Sequence, residues 1–198
     1  MASDDELRDA MAQAMVGFAA VVAELGDDDF DQPSMCDGWT IRDVVEHVVG
    51  GDRFAPIILA GGTLDEAIEA VVGVDHLGDD PAGAVAEASA TTRAAFSGSL
   101  DRIVDHPVGQ IPARRFIGFR VFDQLGHTWD IAEALGRDVV LDPVALGVAL
   151  EVADTEREML TSSTHFAKSD GDVEIDDPQT TFLHTIGRTP RRNHDRDV

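Results

Sequence analysis

Apolar residues along the chain fall at helical spacing, broken at intervals by residues that start and stop helices. Ser3 followed by Glu6 forms a capping box, and the apolar positions after it run to Gly26, a helix stop. The segment 27-DDDFDQPSMCDG-38 is a loop by its Asp, Pro and Gly content. Thr40 and Asp43 open a second helix whose core stripe is Ile41, Val44, Val45 and Val48, with Trp39 placed to staple onto Val44. This helix runs to about Leu59, with a possible kink at Pro56, and 60-AGG-62 ends it. A third helix is expected from near Pro81 to around Gly98. Residues 103–114, with β-branched side chains and two prolines, read as an extended excursion or a weak hairpin, not a sheet.

The fourth helix is expected at roughly 114–135 with Gly136 closing it. Asp142 and Pro143 start a fifth, running to about Leu160, and a short last helix begins at Pro178 and stops at Gly187. Long capped helices without a strand series predict an all-α, up-down four-helix bundle with short extra helical or extended segments. Residues 1–187 are read as one domain and 188–198 as a polar tail.

Composition narrows the partners. Fifteen basic residues face 38 acidic ones, a net charge of −23, so nucleic-acid phosphate and anionic membrane surfaces repel the chain. Lys168 is the only lysine, and Cys36, the only cysteine, leaves no internal disulfide. The start, 1-MASDDELRD-9, is acidic where a signal peptide is basic, and no apolar run approaches the roughly 20 residues of a membrane helix. A cytoplasmic monomer or homodimer acting on a small molecule is the expectation.

The fourth helix carries the chemistry. Phe116, Phe119, Arg120, Asp123, Gly126, His127, Asp130 and Ala134 share one side, and Ile117, Val121, Leu125, Thr128, Ala132 and Leu135 the other. Only narrow strips near Gln124 and Glu133 suit water. Charged groups on such a helix need partners, a proton shift or a metal. Asp123 and His127, at i and i+4, converge on one face. They suit two ligands of one cation, or plain intrahelical ion pairs of Asp123 with Arg120 and His127 with Asp130. On the second helix His47 precedes Gly50 and Gly51, whose missing side chains leave open space. His47 reads either as a core histidine bonded to Asp43 or as a third ligand from a neighbouring helix.

Three runs, 36-CDGWTIRDVVEHVVGGDRF-54, 118-GFRVFDQLGHTWDIAEALG-136 and 178-PQTTFLHTIGR-188, resemble the actinobacterial branch of the DinB-like superfamily. That branch includes the mycothiol-dependent maleylpyruvate isomerase N-terminal domain. The resemblance implies a DinB-type bundle binding a divalent metal, zinc or nickel, on His47, Asp123 and His127, with mycothiol or a similar thiol as cosubstrate. It implies a thiol-dependent transferase or isomerase acting on a small electrophile; the competing class is a non-catalytic, metal-stabilised or ligand-binding bundle. Two departures stand out. The isomerase has glutamate where Asp123 stands, so the metal is expected nearer this helix, and it has a further C-terminal domain for which 198 residues leave no room.

Arg120 and Asp130 are the candidates for catalytic roles: Arg120 to hold a carboxylate, unless it pairs with Asp123, and Asp130 to orient His127 through its free ring N–H. Cys36 reads as a small buried filler without a basic cluster beside it, Trp39 and Trp129 as staple and core, and Arg42 and Arg53 as surface ion pairs. His76, His106, His165, His184 and His194 have no evident partners, and the acidic runs 27-DDD and 172-DVEIDD read as solvated loops.

Overall fold

The computed structural model describes residues 2–157 and 177–189. Each helix starts where a side chain satisfies amides that have no intrahelical acceptor. Helix α1 (Asp4–Ala23) follows the Ser3–Glu6 capping box, and α2 (Ile41–Leu59) follows that of Thr40 and Asp43. Helix α3 (Leu64–Val71) follows a third box, Thr63 with Glu66, a signal present in the sequence but not used above. Helix α4 (Pro81–Ala95) has Asp80 as its cap and stops short of Gly98. Strands β1 (Ile103–His106) and β2 (Gly109–Pro112) pair antiparallel, with Val104 opposite Ile111. The hairpin reading therefore holds, and the exclusion of a sheet is corrected: this is a two-stranded one.

Helix α5 (Ala113–Ala134) follows β2 directly, and Gly136, at φ +66°, turns the chain after it. Helix α6 (Pro143–Thr155) is capped by Asp142, which accepts from Val144 and Ala145. It ends before the expected Leu160, and residues 158–160 lie outside the described residues. Helix α7 (Pro178–Thr185) is capped by Asp177. His165, Lys168, His194, most of the acidic run at 172–177 and the tail beyond Thr189 also lie outside the described residues. None of the described helices is long and apolar enough to cross a membrane.

The all-α architecture matches the expectation, with α5 at its centre. Helix α5 packs against α1, α2 and α6, and α7 closes over the outer end through Phe182, whose ring meets Phe122 edge-on at 5.4 Å. One apolar cluster joins α1, α5, α6 and α7; a second joins the end of α1 to α2 and α4. Surrounded in this way, α5 has no water-facing strip: Gln124 and Glu133, expected at the surface, are buried.

Two glycines test the packing with opposite signs. A Cβ on Gly17 of α1 would meet nothing within 4 Å, so Gly17→Ala is expected to raise stability by about 0.5–1 kcal/mol. A Cβ on Gly118 of α5 would lie 2.9 Å from Val152 Cγ2 on α6, a β-branched side chain with little freedom to move. Gly118→Ala is expected to cost about 1–3 kcal/mol. Urea unfolding of both variants measures the pair.

Candidate metal centre

A tight loop brings the second motif to α5. Ser34 N–H donates to Trp39 O at 2.8 Å, Trp39 N–H donates to Cys36 O at 3.0 Å, and Gly38 sits at φ +77°, a conformation that favours glycine. This turn points Cys36 toward α5 and lays Trp39 beside two histidines. The Trp39 ring is 5.2 Å from that of His47 and stacks at 6.4 Å on that of His127. Trp39 remains 37% exposed, so it walls a site instead of closing the helix cap as a buried staple.

The three sequence-selected ligands meet. His47 Nε2 lies 3.2 Å from Asp123 Oδ1, and His127 Nε2 lies 3.3 Å from the same oxygen. All three donor atoms fall within 4.8 Å of one another. An ion with bonds of about 2.0–2.1 Å in tetrahedral array needs donors about 3.3–3.4 Å apart, so this set fits zinc or a similar divalent ion. His47 reaches across to α5 and does not bond Asp43, which caps its own helix. Burial pushes Asp123 up and His127 down, yet the charges and hydrogen bonds of His47 and His127 reverse the first shift, and the charge of Asp123 with hydrogen bonds to Asp123, Asp130 and Cys36 reverses the second. Asp123 is held well below the ordinary carboxylate value and His127 well above the ordinary imidazole value. The site favours positive charge between the carboxylate and the imidazoles.

The remaining atoms of these ligands are tied down. Asp123 Oδ2 accepts from Arg120 Nη1 at 2.9 Å, which leaves Oδ1 to face the histidines. Arg120 is buried and also donates to Val48 O at 3.0 Å and to Asp52 Oδ1 through Nε and Nη2 at 3.2 and 2.8 Å. Gln124 Nε2 donates to both oxygens of Asp52. Burial pushes the Asp52 pKa up, but these contacts are all donors and suit its ionised form. Gly50 and Gly51 line the cavity beside His47, as the sequence suggested, and each also admits a side chain from another part of the chain. A Cβ on Gly51 would stand 2.4 Å from Arg120 Nη1, and one on Gly50 would stand 3.1 Å from His76 Nε2. The glycines admit those two side chains against α2. His76 has partners after all: its Nε2 contacts Val71 O at 2.9 Å and its Nδ1 contacts Arg53 at 3.2 Å. Arg42 lies over the Phe30 ring, where the sequence suggested an ion pair.

On the far side, His127 Nδ1 lies 2.9 Å from Asp130 Oδ2. Asp130 is fully buried and held by Arg188, whose Nε and Nη2 donate to its two oxygens at 3.0 and 2.9 Å. Burial pushes Asp130 up, but hydrogen bonds from His127 and Arg188 and their charge lower its pKa to about 2. Cys36 Sγ is 3.3 Å from Asp130 Oδ2, 4.0 Å from His127 Nδ1 and 3.6 Å from Arg188 Nη2. Basic groups therefore do adjoin Cys36; one of them comes from beyond α7 and could not be found by local spacing. Cys36, His127 and Asp130 could also be grouped as cation ligands, but the guanidinium of Arg188 already supplies that cation.

A cavity of about 920 Å³ opens from the ligands along α5. Trp39, His47 and Asp123 form its near end, and Phe54, Phe116, Phe119 and His106 its far end. His106, on β1, packs edge-on to Phe116 at 4.9 Å and tilts against Phe119 at 5.4 Å.

The model of the mycothiol maleylpyruvate isomerase N-terminal domain family matches residues 11–132, from within α1 through most of α5, and includes His47, Asp123 and His127. The chain belongs to that family. Two uncharacterized proteins from strains of Mycobacterium tuberculosis are each 36% identical to this member over 131 residues, 66% of this chain and 68% of theirs. Crystal structures of the mycothiol-dependent maleylpyruvate isomerase, one of them of a histidine-to-alanine mutant, superpose with a TM-score of 0.57 at 15% identity. The match covers 78% of this chain and 69% of theirs and shows a shared fold.

This family member yields two further tests. Alanine favours a helix over glycine by about 1 kcal/mol, but at position 51 it collides with a guanidinium fixed by a buried ion pair. Overpacking there outweighs propensity, and Gly51→Ala is expected to lower stability by about 1–3 kcal/mol in urea unfolding. The second test concerns pH. Burial, then the charges of Arg115 and Arg120, lowers the His106 pKa from the ordinary 6.5 to about 4. Below 6.5 the unfolded chain takes up the proton first, so this contribution is full above pH 6.5 and is lost as pH falls toward 4. His106→Phe is expected to lose less stability than the parent over that window.

Proposed function

We propose that this protein holds one divalent ion, zinc or nickel, on His47, Asp123 and His127 and uses a low-molecular-weight thiol such as mycothiol to transform a small electrophile. The observation that carries this reading is the convergence of two imidazole nitrogens on one carboxylate oxygen at 3.2 and 3.3 Å, at the wall of a cavity wide enough for small molecules. Membership in a family described by a mycothiol-using isomerase supports the thiol.

A bound divalent ion supplies Lewis acidity that lowers the pKa of a thiol reaching it. The chain's own residues prepare that step. Arg120 takes Asp123 Oδ2 and so presents Oδ1 toward the ion. Asp130 accepts from His127 Nδ1–H and leaves the Nε2 lone pair free, while Arg188 neutralises Asp130. Trp39 covers one side of both imidazoles. The thiol proton leaves to solvent and the sulfur adds to one carbon of a double bond conjugated to a carbonyl, whose π electrons pass to the carbonyl oxygen as an enolate. In a transfer a solvent proton ends on the adjacent carbon and the carbon–sulfur bond stays; in an isomerisation the enolate re-forms the double bond after rotation and expels the thiolate, which regains its proton.

Protein purified without a histidine tag is expected to hold about one divalent ion per chain, lost in His47→Ala. Asp130→Asn should weaken retention against a chelator by about 10–100-fold. Less than about 0.1 equivalent after reconstitution, with unchanged thermal stability, overturns the metal. In cobalt-loaded protein a small thiol should add a sulfur-to-metal charge-transfer band that persists in Cys36→Ser. A cobalt spectrum indifferent to every thiol removes thiol use and leaves a metal-stabilised bundle.

A further inference from the structure

The far end of the cavity bears on what the site accepts. Following the 1.5 Å rise of a helix, Phe119 and Phe116 lie roughly 6–10 Å before Asp123 along α5. There Phe54, Phe116 and Phe119 form an aromatic floor, and the β1–β2 hairpin lays His106 over it. His106 Nδ1 accepts from Val108 N–H at 3.4 Å, which places the ring proton on Nε2. That Nε2–H has no hydrogen-bond acceptor among the described residues, and His106 lines the cavity. Among the described residues, Arg120 is the only arginine or lysine lining the cavity; four of its five N–H groups are taken by Asp52, Val48 and Asp123, and its charge is paired with the two carboxylates. Arg115, beside Phe119, forms a two-point pair with Glu156 at 2.5 and 2.6 Å. A carboxylate entering here finds apolar walls, the acidic Glu46, and arginines whose charges are already paired with Asp52, Asp123 and Glu156.

We propose that the part of the cavity bordered by His106, Phe54 and Phe119 is a specificity subsite for an uncharged, planar, unsaturated or aromatic group whose acceptor oxygen takes the His106 Nε2–H. This inference names the substrate class of the site proposed above and rests on that reading for the reacting end only. A planar group buries apolar surface against the ring edges that line the cavity, and a carbonyl oxygen satisfies the unpaired His106 Nε2–H. An anion of the same shape must shed its hydration without a compensating charge. The hairpin thus selects neutral electrophiles, such as unsaturated ketones, esters or amides, over dicarboxylates.

Benzamide and benzoate, alike in shape and different in charge, test this by NMR titration of the full chain with labelled histidine, in metal-free and metal-loaded forms. The metal-free comparison decides, because benzoate can ligate an ion. There benzamide is expected to bind about tenfold more tightly than benzoate and to shift the His106 Nε2 resonance. His106→Phe keeps the aromatic wall and removes the donor; benzamide should weaken about three- to tenfold. Equal affinity for benzoate in metal-free protein, or an unchanged benzamide affinity in folded His106→Phe, overturns the subsite. A chain that takes up no ion would instead defeat the metal reading and leave the metal-free comparison to decide the subsite.

Discussion

The guanidinium of Arg120 is the constraint on which the site depends. A buried arginine without partners costs several kcal/mol, so α5 can enter the centre of this bundle only where acceptors meet that side chain. Asp52 and the Val48 carbonyl on α2 supply them, together with Asp123 on α5 itself. The requirement fixes how α2 and α5 stand relative to each other, and that placement sets His47 opposite Asp123. Gly51 is part of the same constraint, since any side chain there would occupy the space of the guanidinium. Replacing such a cluster by apolar residues often leaves stability unchanged. Its contribution here is positional: it selects one docking of two helices and one orientation of a carboxylate.

The pattern of caps and apolar stripes was enough to find most of the helices, because caps and periodicity are local. Helix α3 escaped although its Thr63–Glu66 box was available, since eight residues offer too few turns for a stripe to declare itself. Asp123 and His127 were legible from their i, i+4 spacing, and His47 gained weight from the glycines and the motif around it. Asp52, Arg188 and His106 were not. Asp52 and Arg188 reach α5 from far along the chain, and His106 acquires its surroundings only when the hairpin folds over α5. Gly50 and Gly51 do border open space, but that Arg120 and His76 also lie against them depends on distant parts of the chain and is not legible from local spacing.

Cys36 shows how tertiary structure changes a residue's chemistry without changing its neighbours in sequence. In the chain it stands between Met35 and Asp37 in a loop without basic residues. In the fold it lies between an imidazole and a guanidinium that arrive from α5 and from beyond α7. Arg188 also decides against a second cation there. Because the charge of Arg188 is already seated on Asp130, His127 Nδ1 is left to that carboxylate and Nε2 to Asp123 Oδ1.

Charge balance ties these elements together. Asp52, Asp123 and Asp130 bring three negative charges into the interior beside α5, and Arg120 and Arg188 bring two positive ones. With neutral histidines the cluster is one cation short, which is why Asp123 and His127 shift so strongly toward sharing a proton. A proton makes the cluster neutral and inert. On the proposed function, a divalent ion in its place would leave one positive charge in excess, held by residues whose other atoms are occupied. One thiolate would cancel that excess, and a dianionic partner would overshoot, because the aromatic far end has no free arginine to take the second charge. The same arithmetic would favour an uncharged electrophile beside His106.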